Sequence, residues 1–202
     1  MIKRLWFRGL SRARIYRRLI IRERLLSQPF PEVPARVPVR VSLLAAGEID
    51  AYMAFRPDQS IAEVRRRLDE GQQCFVAWHD RQIIHAAWAV TGRARIEYLS
   101  TEIALAPDEV YSYDVFTSPA FRGLGVAPAR MLETIRYFRD RGYRCQLSAI
   151  LPENSPGLRP GEKIGGRIRI GVIGYVGLGP WRHVFCRMER GASPPGRAGL
   201  AP

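Results

Sequence analysis

The stretch Arg122-Gly123-Leu124-Gly125-Val126-Ala127-Pro128 sets one cation and two glycines between an apolar extended run and an amphipathic run that carries a proline near its start. A strand that turns abruptly into a helix leaves the first helical amides without partners. Together with the helix dipole, those amides form an anion site. Glycines let backbone approach a phosphate closely, and Pro128 removes an amide that has no helical partner anyway. Arg122 would add a charge-assisted hydrogen bond to a phosphate oxygen. The arrangement suits a diphosphate; the alternative is a glycine-rich turn with no ligand. Cys74, Cys145 and Cys186 are far apart, with no CxxC pair and no histidine spacing, so neither a metal site nor a disulfide framework is expected.

These residues need a scaffold, and periodicity supplies its outline. Val39 to Leu43 alternates as a strand, and Glu48 to Arg56 places Ile49, Tyr52 and Met53 on one helical face before Pro57. Ser60 and Glu63 read as a capping box for a helix carrying Ile61, Val64 and Leu68 and ending at Gly71. Cys74 to Trp78 and Ile83 to Val90 flank the polar turn His79-Asp80-Arg81-Gln82, a hairpin pattern. Strands follow at Arg93 to Tyr98 and Val110 to Thr117, then a helix over Pro128 to Arg141 with Met131, Leu132, Ile135 and Phe138 inward and Gly142 as its stop. Arg144 to Leu151 reads as a strand, Ser155 to Ile164 as a poor helix, and Ile168 to Val176 and His183 to Met188 as strands. With 202 residues and 47% hydrophobic content, this order predicts one mixed α/β domain.

The loop also resembles that of the GNAT family of N-acetyltransferases. Arg122 to Ala127 matches the family's Arg/Gln-x-x-Gly-x-Gly/Ala motif, preceded by the family's strand and proline, here Asp114-Val115-Phe116-Thr117-Ser118-Pro119. Leu147 to Asn154 is similar to its strand ending in Asn, and the likeness runs from about Val39 to Met188. The resemblance implies a central, mostly antiparallel twisted sheet, splayed at the cofactor site and flanked by helices. Acetyl-CoA is the implied co-substrate. Its pyrophosphate would lie on the Leu124, Gly125, Val126 and Ala127 amides with Arg122 and Gly123, and its pantetheine along Val115, Phe116 and Thr117, near Asn154. The Thr117 amide would polarise the thioester carbonyl. Gly125→Val is then expected to block the pyrophosphate and leave the fold largely intact.

One departure stands out. Gly161 occupies the position of the family tyrosine that protonates the departing thiolate, so water or Ser155 would take that role, or the segment is reshaped. A base must accept the proton of the attacking amine, and the candidates in order are Asp114, Glu97 and Glu102, each weighed against an ion pair with an arginine. Glu97 and Glu102 are expected on or beside the strand neighbouring Asp114's strand. His79, His85 and His183 read as packing or turn residues, and Tyr98, Tyr111 and Tyr113 as pocket or core.

The net charge of +13 is concentrated at the start, where residues 1–26 hold nine basic side chains against Glu23. On a helical wheel Ile15, Leu19 and Leu26 oppose Arg14, Arg17, Arg18 and Arg24, an amphipathic extension over 1–27 suited to packing on the domain, to a second copy in a homodimer, or to an anionic membrane surface. Nucleic acid ranks below these. A proline-rich linker over 28–38, an acyltransferase domain over 39–190 and a disordered tail over 191–202 complete the expected organisation. No spanning or secretory run is visible, so a cytoplasmic protein, with or without peripheral membrane contact, is expected. The implied acceptor is a small primary amine attacked directly in a ternary complex. The alternatives are a longer acyl donor, carried on CoA or an acyl carrier protein, and a non-catalytic basic binding module.

Overall fold

A computed structural model describes residues 16–152, 154, 165, 167–178 and 181–188. Ten strands and three α-helices follow in chain order: β1 Tyr16–Leu25, β2 Arg40–Leu43, α1 Ile49–Phe55, α2 Ile61–Asp69, β3 Gln73–His79, β4 Gln82–Thr91, β5 Arg93–Ile96, β6 Thr101–Ala104, β7 Glu109–Thr117, α3 Val126–Arg139, β8 Cys145–Ile150, β9 Arg167–Leu178 and β10 Trp181–Met188. Eight strands form one sheet in the order β10-β9-β1-β8-β7-β4-β3-β2. β7 and β8 run parallel, and the other neighbours are antiparallel. This mixed, mostly antiparallel sheet is the architecture expected.

Alternating side chains assign the two faces. Cys74, Val76 and Trp88 meet Tyr52 of α1 and Val64 of α2. Phe75, Ala89 and Val110 meet Leu132, Ile135 and Phe138 of α3 on the opposite face. The β3–β4 hairpin closes through Asp80 and Arg81 at φ 45° and 70°, the paired left-handed geometry that suits the twist of a two-residue loop. The expected capping box at Ser60 does not form. Ser60 makes no side-chain cap bond, and the Glu63 carboxylate, the other half of the box, is held by the guanidinium groups of Arg66 and Arg67 at 2.7 and 2.8 Å.

Three expectations are corrected. Residues 16–25 are not an amphipathic helix. They form β1, paired with β8 from Ile20↔Ile150 to Leu25↔Cys145 and with β9 from Tyr16↔Val176 to Arg24↔Arg167. Leu19 and Ile21 enter the core, and Arg24 is fully buried against the face of α3. The apolar side chains thus alternate toward long-range strand partners rather than gathering on a helical stripe, and the helical basis for a membrane surface is lost over these residues. Residues 1–15 lie outside the described residues, as do 155–164, where the poor helix was expected, and the 191–202 tail.

The second correction concerns β5, which does not border β7. β5 and β6, the latter not foreseen, form a separate hairpin. Ala94, Ile96, Leu99, Ile103 and Leu105 press it onto Leu19, Leu147, Ile173 and Tyr175, so it covers a sheet face instead of extending an edge. The third concerns residues 28–38, which are non-helical as expected and largely exposed, but are tied to the domain rather than running free as a linker. Phe30 and Val33 pack with α3, Val37 packs with Val126, and the Arg36 amide donates to the Leu124 carbonyl at 2.7 Å. The stretch is a strap across the start of α3.

Candidate active site

β7 and β8 pair only over Glu109↔Cys145, Val110↔Gln146 and Tyr111↔Leu147. Beyond Tyr111 they diverge, while β1 holds the opposite edge of β8 from Cys145 to Ile150. β7 itself changes course: Ala86 faces Phe116 and Trp88 faces Tyr113, leaving Ala87 opposite both Asp114 and Val115. This is a β-bulge, with Asp114 at φ 45° and Val115 turned outward, about half exposed. Splay and bulge together open a cavity of about 1170 Å³ that runs through the sheet between its two faces.

At the α3 end lie Arg122, Gly123, Gly125, Val126 and Ala127. Gly125 caps α3 at φ 81°, and the first amides of the helix have no carbonyl one turn earlier to receive them. Arg122 Nε donates to the Thr117 carbonyl at 3.3 Å, which holds its guanidinium beside the strand end. A Cβ on Gly123, also at φ 81°, would meet nothing within 4 Å. A Cβ on Gly125 would meet the Pro34 carbonyl oxygen at 2.8 Å. The expectation for Gly125→Val is therefore corrected: the close approach at this glycine is made by the strap of the protein itself, so the substitution strikes the fold.

The fit to a pantetheine diphosphate rests on more than the loop. Gln146, Ser148 and Arg130 line the cavity, and their Oε1, Oγ and Nη2 atoms are buried with no hydrogen-bond partner among the described residues. Groups so placed call for a polar occupant. Val115, Phe116, Thr117 and Asn154 line the same cavity.

The opposite end is electrostatically organised. Asp114 Oδ1 lies 3.0 Å from Arg56 Nη1, and Oδ2 lies 2.9 Å from Arg67 Nη1. Arg56 also grips Asp58, while Arg67 binds Glu63 and stacks over Trp88 and Tyr113. Burial pushes both guanidinium pKa values down. The surrounding carboxylates, with Tyr113 beside Arg67, more than offset this, and both end above the ordinary value. Tyr113 donates to Gln72, and burial raises its phenol, keeping it protonated. Glu97 sits in a 3₁₀ turn on the cavity wall, 3.0 Å from Arg95 and largely exposed. Glu102 is on β6, 4.0 Å from Arg93 and outside the cavity lining. The site thus brings Asp114, Glu97 and Thr117 to one cavity and leaves Glu102 out.

Sequence reasoning missed Arg56, Arg67, Arg130 and the placement of His85. His85 is fully buried. Its Nδ1 is 2.7 Å from Thr117 Oγ1, and its Nε2 receives Arg130 Nε at 3.0 Å. Burial first, then the charge of Arg130, holds the imidazole well below its ordinary pKa. The one polar residue inside the apolar run Ile83-Ile84-His85-Ala86-Ala87-Trp88 was the available signal.

Residues 44–159 match the model of the GNAT acetyltransferase family. The chain belongs to that family. Solved structures show the same fold at low identity. A GNAT-family putative acetyltransferase from Novosphingobium aromaticivorans aligns at TM-score 0.54 and 17% identity over 78% of this chain and 63% of that one. The glucosamine N-acetyltransferase region of a fungal multi-domain β-N-acetylglucosaminidase aligns at 0.57 and 13% over 83% and 22%. An aminoglycoside N-acetyltransferase in complex with CoA aligns at 0.50 and 20% over 62% and 90%. This GNAT chain therefore spans less than two thirds of the first two structures. No curated protein matches it. Among the described residues, no helix is long and apolar enough to cross a membrane, and no cluster of three or more His, Cys, Asp or Glu side chains is placed to hold a metal.

Proposed function

We propose that this chain transfers an acyl group, acetyl in the first instance, from acetyl-CoA to a primary amine of a small acceptor by direct attack in a ternary complex. The observation that carries the reading is the continuous cavity through the β7–β8 splay, with the Arg122 to Ala127 loop and the start of α3 at one end and ionisable groups at the other. Bound there, acetyl-CoA supplies an activated thioester carbonyl. The amides from Leu124 to Ala127 and Arg122 hold its diphosphate. The unpaired edge of β7 around Val115 to Thr117 offers backbone groups to its arm, and an amide of this edge polarises the carbonyl.

At the acceptor end, Asp114 has each carboxylate oxygen committed to a guanidinium. With both oxygens occupied it organises the wall of the cavity, so we assign removal of the amine's proton to Glu97, directly or through water. Glu97 is the unclamped carboxylate of the cavity, with its single arginine partner in solvent. Membership of an acetyltransferase family and the CoA-bound neighbour support the donor; the glucosamine and aminoglycoside N-acetyltransferases among the neighbours support a small amine. The test is a panel of amino sugars, amino acids and polyamines with acetyl-CoA, followed by thiol release. Amine-dependent release supports the proposal. A chain that binds acetyl-CoA but releases thiol with none of these acceptors overturns the small-amine reading.

A further inference from the structure

A fully buried cation on the inward face of α3 has no carboxylate within ion-pair distance among the described residues. Arg130 is 1% exposed, and its partners are His85 Nε2 at 3.0 Å and Thr134 Oγ1 at 3.2 Å, with Nη2 unpartnered. Burying a guanidinium costs several kcal/mol unless its donors are used, so the donors that are used carry information. An arginine can only donate. His85 Nε2 must therefore be the acceptor, which places the imidazole proton on Nδ1. Nδ1 then donates to Thr117 Oγ1, 2.7 Å away. Burial and the positive neighbour keep the ring neutral, so this tautomer is the one present. Thr117 Oγ1 is thereby an acceptor toward His85, and its own hydrogen must point elsewhere. No second protein partner for it is drawn among the described residues, and Thr117 lines the cavity between the bulge and the phosphate loop.

We infer that Arg130 and His85 are positioning residues that fix the Thr117 hydroxyl as a donor into the cavity, where it binds a carbonyl or hydroxyl oxygen of the pantetheine arm of the acyl donor. The inference rests on the cavity being the acyl-CoA site. Its geometry favours the arm over the reacting carbonyl. Thr117 is three residues beyond Asp114 and the bulge, about 10 Å along an extended strand, and adjoins the loop assigned to the diphosphate. The relay also explains why a lone histidine occupies an otherwise apolar strand: a smaller apolar residue would leave Arg130 Nε without an acceptor and the threonine free to rotate.

The experiment is calorimetric titration of the full chain with acetyl-CoA and, separately, with adenosine 3′-phosphate 5′-diphosphate, the nucleotide half that lacks the arm. Thr117→Val should weaken acetyl-CoA about tenfold, the size of one hydrogen bond, and leave the nucleotide half unchanged. Thr117→Ser should restore the affinity. His85→Leu should lose a similar factor and lose nothing more when combined with Thr117→Val, since residues acting through one another are not additive. Thermal melts check that each variant is folded, and the Thr117→Val and Thr117→Ser pair decides the matter if His85→Leu is not. Wild-type affinity in Thr117→Val, equal loss of both ligands, or full additivity of the two substitutions overturns the relay. A wild-type chain that binds neither ligand overturns the site assignment itself.

Discussion

Replacing each loop glycine in turn separates two demands that the sequence motif merges. Gly123 and Gly125 both sit at φ 81°, where an L-residue costs about 1–2 kcal/mol. At Gly123 that is the whole cost, because an added Cβ meets nothing within 4 Å. At Gly125 the Cβ would lie 2.8 Å from the Pro34 carbonyl oxygen and 3.2 Å from Ala35 Cα. Those are backbone atoms, pinned by the Arg36 to Leu124 hydrogen bond at 2.7 Å and by the packing of Phe30, Val33 and Val37. Relief requires lifting the strap, and overpacking of this kind adds about 1–3 kcal/mol. Gly123→Ala should therefore lower unfolding free energy by about 1–2 kcal/mol and Gly125→Ala by about 2–5 kcal/mol. Urea titrations monitored by circular dichroism give both values, with an unchanged slope showing that the unfolded state is comparable. Equal costs at the two positions, within about 0.5 kcal/mol, would refute the claim that Gly125 accommodates the strap.

Glu97→Gln should reduce turnover about a hundredfold with little change in acetyl-CoA affinity; wild-type turnover at neutral pH would remove Glu97 from proton transfer. Asp114→Asn should instead act on the fold, because it leaves Arg56 and Arg67 without their shared carboxylate. We expect a loss of about 3 kcal/mol, the low end for breaking a buried pair since the Asp114 side chain is 21% exposed, read by denaturant titration. His85 sets an acid limb: the unfolded chain takes up its proton near pH 6.5 while the folded chain stays neutral, so stability is complete above about pH 6.5 and declines as pH falls below it. Comparison of melting temperatures for wild type and His85→Asn between about pH 6.5 and 5 should show the flatter profile in the variant, and parallel profiles would contradict the assignment. Deleting residues 1–26 removes β1 from between β8 and β9, and should give an aggregated or unfolded chain; a soluble, acetyl-CoA-binding remainder would contradict the sheet order.

What the sequence by itself determined is local. The α3 helix, its preceding glycine turn and the β3–β4 hairpin are written in spacings of three, four and two residues, and their signals and their contacts fall within the same short windows. The family motif lies in the same span, so the glycine-loop end of the cavity was legible, although the role of its second glycine was not. Tertiary structure decided whatever depends on partners far away in the chain. Leu19 and Arg24 fall on opposite sides of a helical wheel and of a strand alike; β8 and β9, more than 120 residues downstream, settle the matter by offering unpaired edges. Whether Asp114 is a base or an ion-pair partner stays open in the sequence until Arg56, at the end of α1, and Arg67 of α2 reach it. His85, Thr117 and Arg130 are separated by 32 and 45 residues, and only the β4–β7 register and the docking of α3 bring them within hydrogen-bonding distance. A proton's position on an imidazole follows from which neighbours can donate, and that is a property of packed atoms, which no spacing along the chain encodes.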